Sequence, residues 1–378
     1  MQNSIWEKET FYAPNDIIIA GNGLGGLWSA YYLKKFHPKW RVLIVDKGII
    51  PTGASTRNAG FACFGSVTEL MKDAHILGNE KMLELVQMRY EGLRTIRKVL
   101  SKKQIGFKRY GGYELITVKQ YRSREQLKED IAWLNNALNK IIKVDGLFEI
   151  SDEKIKQYGF QQAEHLIENK LEGQLHSGAL VQALIQEVQS MGVKIISSLE
   201  LNAFYEAGGW IRLHTTPGTS LTTRKLLICT NAFAHQLIPG IDIVPARGQV
   251  LVTSPISDLR FKGTFHFDEG FYYFRNIGNR ILLGGARNKA FAEEETTDPQ
   301  VSDTIQNELE KFLKEVVLPR QAFTIENRWS GIMGMSTSKF PLVKEVQSNC
   351  YCAVGMGGMG VAIAPVVGKQ AALMIGKG

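Results

Sequence analysis

The residues whose types and spacing speak most directly of chemistry are Gly21, Gly23 and Gly26, followed twenty positions later by Asp46. A glycine at the first position permits a tight turn. One at the second lets backbone approach a pyrophosphate, and one at the third lets a helix pack closely on a sheet. Leu24 opens that helix, whose unpaired N–H groups would face the phosphates. Asp46 stands where a carboxylate accepts hydrogen bonds from a ribose, and an acid there disfavours a 2′-phosphate, leaving NAD or FAD. A lone Gly-x-Gly-x-x-Gly also occurs in ordinary turns, but here both flanks agree. DIIIA at 16–20 reads as a strand, LWSAYYLKKF as a helix, and RVLIV at 41–45 as a second strand ending at the acid.

Two further segments separate FAD from NAD. GASTRNAGF, at 53–61, places Ala54, Ser55, Thr56, Asn58, Ala59, Gly60 and Phe61 in a loop of small and polar residues suited to a large polar cofactor, shortly after Lys47. GMGGMGVAIAP, at 355–365, brings Gly357, Gly358, Met359, Gly360 and Val361 to the start of a helix. Near a flavin, such a positive dipole end stabilises the negative charge that develops around N1 and the C2 carbonyl on reduction. An NAD fold needs no such element.

The elements that must hold these residues follow from periodicity. Helical spacing predicts helices over 71–100, 121–144, 174–191 and 307–317, with a strand over 111–118. The 193–214 stretch predicts a hairpin-rich extension, and QVLVTS, GTFHF, GFYYFRN and RILLGGA between 249 and 286 predict an antiparallel sheet. In that sheet Tyr272 and Tyr273 alternate, so one faces the cofactor and the other faces away. Arg275 and Arg287 could each supply a cation there, though a structural ion pair would explain either one. His266 reads as a core histidine or a polar cavity residue.

Composition bounds the rest. With 378 residues, 44% hydrophobic and 22% charged, the chain has the makings of a globular protein of two domains or one large α/β unit. Forty-five Lys and Arg against 37 Asp and Glu give +8, densest from Lys98 through Lys102, Lys103 and Lys108 to Arg109. This cluster reads as a solvated helix end; no nucleic-acid motif accompanies it, so a nucleic-acid partner is disfavoured. No run reaches the roughly 18 apolar residues of a membrane helix, and the first residues carry neither a secretory nor an import pattern, so a cytoplasmic address is expected. Cys63, Cys229, Cys350 and Cys352 read as free thiols rather than bridges or metal ligands.

Together these segments resemble the D-amino-acid oxidase-like family of FAD-dependent oxidoreductases, which includes glycine oxidase, sarcosine oxidase, D-amino-acid dehydrogenase and gamma-glutamylputrescine oxidase. The resemblance extends through EGQLHSGALVQAL at 172–184, LLICTNA at 226–232, VPARGQVL at 244–251 and RWSGIMG at 328–334. GASTRNAGF and RWSGIMG are most similar to the gamma-glutamylputrescine oxidase and glycine oxidase branches. It implies an α/β fold: a Rossmann-like FAD domain of the GR2 type, assembled from 1–70, 173–245 and 326–378. A discontinuous α+β substrate domain, 71–172 and 246–325, would carry the antiparallel sheet. Leu201, Thr230, Asn231 and Gly331 would join the FAD site. The implied reaction takes a hydride from the carbon beside an amine nitrogen to flavin N5, followed by imine hydrolysis, with oxygen or a quinone-type carrier as acceptor. Other readings are modification of a tRNA base side chain and flavin binding without turnover. Two departures stand out. Met333 occupies the position where relatives often clamp a substrate carboxylate with Arg, and Gly331 lies near the position that can carry a flavin thioether, which implies non-covalent FAD.

Overall fold

The computed structural model describes residues 4–117, 120, 123–216 and 218–377. Strand Asn15–Ala20 is central to the first sheet, and its Ile17, Ile18 and Ile19 are fully buried. Such a continuous apolar run is what a parallel strand covered on both faces requires. It pairs in parallel with Val42–Val45 on one side and Ser220–Ile228 on the other. Lys194–Ile196 extends the sheet beyond Val42–Val45, and Cys350–Val354 extends it beyond Ser220–Ile228. Leu342–Gln347 then adds an antiparallel edge. N-terminal, middle and C-terminal segments therefore share one sheet, as the family resemblance implied. Of the expected hairpin extension, Glu200–Ala207 and Trp210–Thr216 do pair as a hairpin, whereas 194–196 joins the parallel sheet.

The second sheet has the strand order Ile325–Met335, Val244–Thr253, Arg280–Gly285, Tyr272–Ile277, Thr264–Phe267, Gly112–Ile116, His165–Asn169 and Phe148–Ile150. Every pairing is antiparallel except that of Thr264–Phe267 with Gly112–Ile116. Ile325–Met335 belongs by hydrogen bonding to this sheet, although 326–378 was assigned by resemblance to the cofactor unit. Its register runs from Met335 opposite Val244 to Ile325 opposite Thr253.

Helix boundaries differ from the periodicity in instructive ways. The expected helix over 71–100 is two helices, Val67–Leu77 and Asn79–Val99, broken at Gly78, whose φ of 87° no helix accommodates. The one expected from Tyr121 begins at Arg124, where the Ser123 side chain caps the N–H of Gln126; Tyr121, and Val118 where the expected strand over 111–118 ended, lie outside the described residues. The helix expected over 174–191 starts at Ser177, and that over 307–317 is Asp303–Phe312 followed by a π-turn. The final helix, Gly360–Ile375, packs against Leu24–Phe36 and Asn79–Val99 so closely that a Cβ on Gly92 would lie 1.7 Å from the Ala362 carbonyl oxygen. With the turn before it, this run is long and apolar enough to span a membrane by length and composition. Here its apolar side chains fill the core between those two helices.

Candidate cofactor and substrate site

The site begins at the turn after Asn15–Ala20. Gly21 adopts φ 113°, and a Cβ there would meet the Cys229 carbonyl oxygen at 2.7 Å; one on Gly26 would lie 2.0 Å from the Gly21 carbonyl oxygen. Only glycine permits this approach of helix and turn. Asp46 braces the turn: one carboxylate oxygen accepts the Asn22 N–H at 2.7 Å and the other the Gly48 N–H at 2.8 Å. Lys47 reaches Glu200 at 3.9 Å and stacks on Phe233 at 4.2 Å, with Leu201 partly buried beside Glu200.

Gly23 caps the helix, and the Ser55 hydroxyl accepts the Leu24 N–H at 2.9 Å, which seats the 53–61 loop on the helix N-terminus. That loop is folded by its own side chains. Asn58 Nδ2 donates to the carbonyls of Ala54 and Ser55, while its Oδ1 accepts from Gly60 N–H and the Ser177 hydroxyl. Thr56 donates to Pro51, and Ala59 and Phe61 turn inward toward the second sheet. The loop is tied to Ile325–Met335 by two bonds: Trp329 Nε1 donates to the Arg57 carbonyl, and Arg57 Nη1 donates to the Ser330 carbonyl. A Cβ on Gly331 would come within 3.0 Å of the Arg57 Cβ, so Gly331 lies against the cofactor loop.

The remaining glycine-rich turn is held by Asn231, whose Oδ1 accepts the Gly355 N–H at 3.0 Å. Gly357 and Gly358 lie near Met335 and Met333, Met359 N–H closes the turn onto Met356, and Gly360 and Val361 begin the final helix. These residues meet in short runs of contact: Asp46 with Asn22 and Gly48, Leu24 with Ser55, Arg57 with Ser330 and Gly331, and Met333 with Gly358. Two buried polar atoms beside these residues, Asn22 Oδ1 and Thr230 Oγ1, have no partner among the described residues. A polar ligand with ribose and phosphate groups supplies what they lack, so the cradle fits FAD.

On the second sheet the alternation resolves as follows. Tyr272 packs on Phe267 and Phe312, away from the loop, whereas Tyr273 faces Phe61 and Ala59. Beside the Gly248 Cα, the Tyr273 hydroxyl and the Met333 methyl converge, 3.8 and 3.1 Å from where a Cβ would stand. Desolvation pushes the Tyr273 hydroxyl up to about 12 against the pull of nearby Arg287. The two arginines differ. Arg275 is buried and its Nη1 donates to the carbonyls of Leu175, at 2.9 Å, and Gly60, at 3.3 Å; burial alone lowers it to about 10. Arg287 is half-buried, lies over the Phe291 ring at 4.8 Å, and is lowered by desolvation. Neither forms the ion pair that the sequence left open, among the described residues.

Sequence reasoning missed a buried polar cluster behind Phe61. Glu172 accepts the Phe64 N–H, and Glu114 accepts from Ser66 and Thr68, so both acids hold the chain just after the cofactor loop. Burial raises them to about 8 and about 7 respectively. His266 stands edge-on to Phe61 with Nε2 unpartnered, and burial lowers its basicity. The available signal was Glu114 itself, a lone acid inside the apolar strand Gly112–Ile116.

A two-sheet fold with a glycine-braced dinucleotide cradle opening onto an antiparallel sheet defines a flavin-dependent oxidoreductase, and the chain belongs to the FAD dependent oxidoreductase family, which it matches over residues 16–374. Among its relatives is gamma-glutamylputrescine oxidoreductase of Escherichia coli (strain K12), 22% identical over 95% of this chain and 83% of the relative. Solved structures of similar fold include glycine oxidase from Geobacillus kaustophilus, with TM-score 0.76 and 19% identity over 96% of this chain and 95% of that one. L-proline dehydrogenase from P. horikoshii gives TM-score 0.76 and 19% identity, over 96% and 94% of the two chains.

Proposed function

We propose that this enzyme oxidises the C–N bond of an amine, or of an N-substituted amino compound whose charged group lies away from the reacting carbon. The observation that carries this reading is the convergence of the Tyr273 hydroxyl and the Met333 methyl beside Gly248, with Met333 also lying against the Gly358 turn. Bound FAD would supply the hydride acceptor at N5, and the resulting imine would be hydrolysed by water. The protein's part is orientation and exclusion of water. Tyr273, protonated across the physiological range, can donate its hydroxyl proton to a substrate acceptor. Met333 offers a flexible apolar surface and no partner for an α-carboxylate. Arg287 is the better remote clamp, because Arg275 already spends Nη1 on two backbone carbonyls and serves to tie the cofactor loop to the sheet. The amine chemistry of the similar oxidoreductase and oxidase named above supports the reading.

Anaerobic bleaching of the flavin by glycine, D-alanine, sarcosine, putrescine and gamma-glutamylputrescine tests it. The last compound, or another with its charge remote from the reacting carbon, is expected to react fastest. Fastest reduction by glycine or D-alanine would contradict it. Admitting oxygen afterwards distinguishes an oxidase from an enzyme that passes electrons to a quinone-type carrier. Gly331 offers no nucleophile for a thioether, so FAD is expected to be non-covalent and to stay in solution when the protein is precipitated with acid. Flavin in the pellet would refute this.

A further inference from the structure

The segment 286–302 joins strand Arg280–Gly285 to helix Asp303–Phe312. Gly248 faces the Tyr273 hydroxyl and Met333, so its neighbours Arg247 and Gln249 must point to the opposite face. There the fully buried carboxylate of Glu294 meets the Arg247 guanidinium fork to fork, at 3.1 Å from Nε and 2.7 Å from Nη2. The same carboxylate accepts from Gln249 Nε2 at 2.8 Å, and the Glu294 carbonyl accepts the Arg247 N–H at 2.8 Å. Arg247 Nη1 then donates to the Gln300 carbonyl at 2.8 Å, and Gln249 Oε1 accepts the Ser302 N–H at 3.0 Å. Six bonds thus hold the far half of the segment to one strand on the back of the sheet. Its near end leaves Gly285 through Ala286, in the left-handed region at φ 60°, and carries Arg287 over the Phe291 ring, within electrostatic reach of the Tyr273 hydroxyl.

We propose that Glu294, clamped by Arg247, is a positioning residue that pins this strap to the back of the sheet and so fixes Arg287 on the front, setting a preference for substrates with a remote anionic group. The pin rests on the geometry alone; the preference rests on the reading of Arg287 given above. A pair buried merely for stability would be equally well formed, but its disruption would not discriminate between substrates. Glu294 and Glu295 both act electrostatically on Arg287, but Glu294 is committed to Arg247 by two charge-assisted bonds.

The test uses the FAD-loaded enzyme with Glu294→Gln, Arg247→Lys and Arg287→Gln. Hydrogen exchange of the amides in 287–301 should quicken about tenfold or more in Glu294→Gln, with helix Leu24–Phe36 unchanged. Unchanged exchange in the strap overturns the pin. Steady-state kinetics with N-succinylputrescine and N-butyrylputrescine, matched in length with and without a carboxylate, then test the preference. Both Glu294→Gln and Arg287→Gln should raise KM for the succinyl compound about tenfold, leaving its kcat and the KM of the butyryl compound within about twofold. A split in Arg287→Gln but not in Glu294→Gln overturns the link between pin and clamp. No split in Arg287→Gln overturns the preference and the Arg287 reading, while the exchange result still decides the pin. Should Glu294→Gln fail to fold, Arg247→Lys keeps the charge, loses the fork and carries the same two readouts.

Discussion

Asp46 braces the turn, its two oxygens accepting the N–H groups of Asn22 and Gly48, and we propose that it also receives the ribose. Asp46→Ala should therefore weaken FAD binding on the order of 1.5 to 3 kcal/mol, the range for a charge-assisted bond. Equilibrium dialysis of the apoprotein with FAD measures this, and an unchanged Kd would place the ribose elsewhere. Tyr273 gives a second residue-level expectation. With its hydroxyl held up to about 12 by desolvation, its ionisation cannot shape a kcat profile below about pH 10. The basic limb of the wild type should persist in Tyr273→Phe, and its disappearance would show that the hydroxyl titrates lower. At this scale the cofactor residues were legible because each glycine or acid does its work through backbone and local spacing. Arg275 was not. Its commitment to the carbonyls of Gly60 and Leu175, 215 and 100 positions away in the chain, depends on how two distant segments meet.

At the level of elements, the close packing of the final helix makes a sharp prediction. A Cβ on Gly368 would lie 2.5 Å from the backbone carbon of Trp28 and 2.6 Å from the Ser29 nitrogen, and backbone cannot rotate away as a side chain can. Gly368→Ala should cost about 1 to 3 kcal/mol, as overpacking does, or more. Gly53→Ala, whose Cβ would meet nothing within 4 Å, should leave the apoprotein's thermal midpoint nearly unchanged. Calorimetry of the two variants checks the contrast; equal midpoints would mean that the helices can separate cheaply. Periodicity revealed most helices but misjudged their ends, because apolar spacing continues across Gly78 while the backbone does not. It also left Ile325–Met335 outside the antiparallel sheet. RWSGIMG has the small and polar residues of a strand lying against a loop, and these carry little alternation.

For the whole molecule, the two buried acids make stability fall with rising pH. Glu172 and Glu114, raised by burial to about 8 and about 7, bind protons in the folded chain at pH values where the unfolded chain has released them. Unfolding then releases protons, so stability is greatest below the unfolded carboxylate range of about 4.3 as far as these groups are concerned, and declines until the pH passes their folded values. Their contribution should drop by a few kcal/mol, in order of magnitude, between about pH 5 and 8. Glu172→Gln, which keeps an acceptor for the Phe64 N–H, should flatten part of that decline in urea titrations. An undiminished slope would assign it to other groups.

The sheet assembled from three distant segments also constrains the order in which the protein can be made. Strand Asn15–Ala20 emerges from the ribosome with Val42–Val45 close behind, but its other neighbour, Ser220–Ile228, arrives some two hundred residues later, and Cys350–Val354 follows more than a hundred residues after that. Until then an edge of Ile17, Ile18 and Ile19 has unpaired backbone and apolar faces, the combination most prone to wrong association. Asn231, which must receive the Gly355 N–H, waits equally long. Chains arrested before about residue 340 should therefore require chaperones to stay dispersed and should not retain FAD. Pulse labelling of stalled nascent chains would show this, and flavin capture by a chain lacking 342–354 would show that the sheet closes earlier than its topology allows.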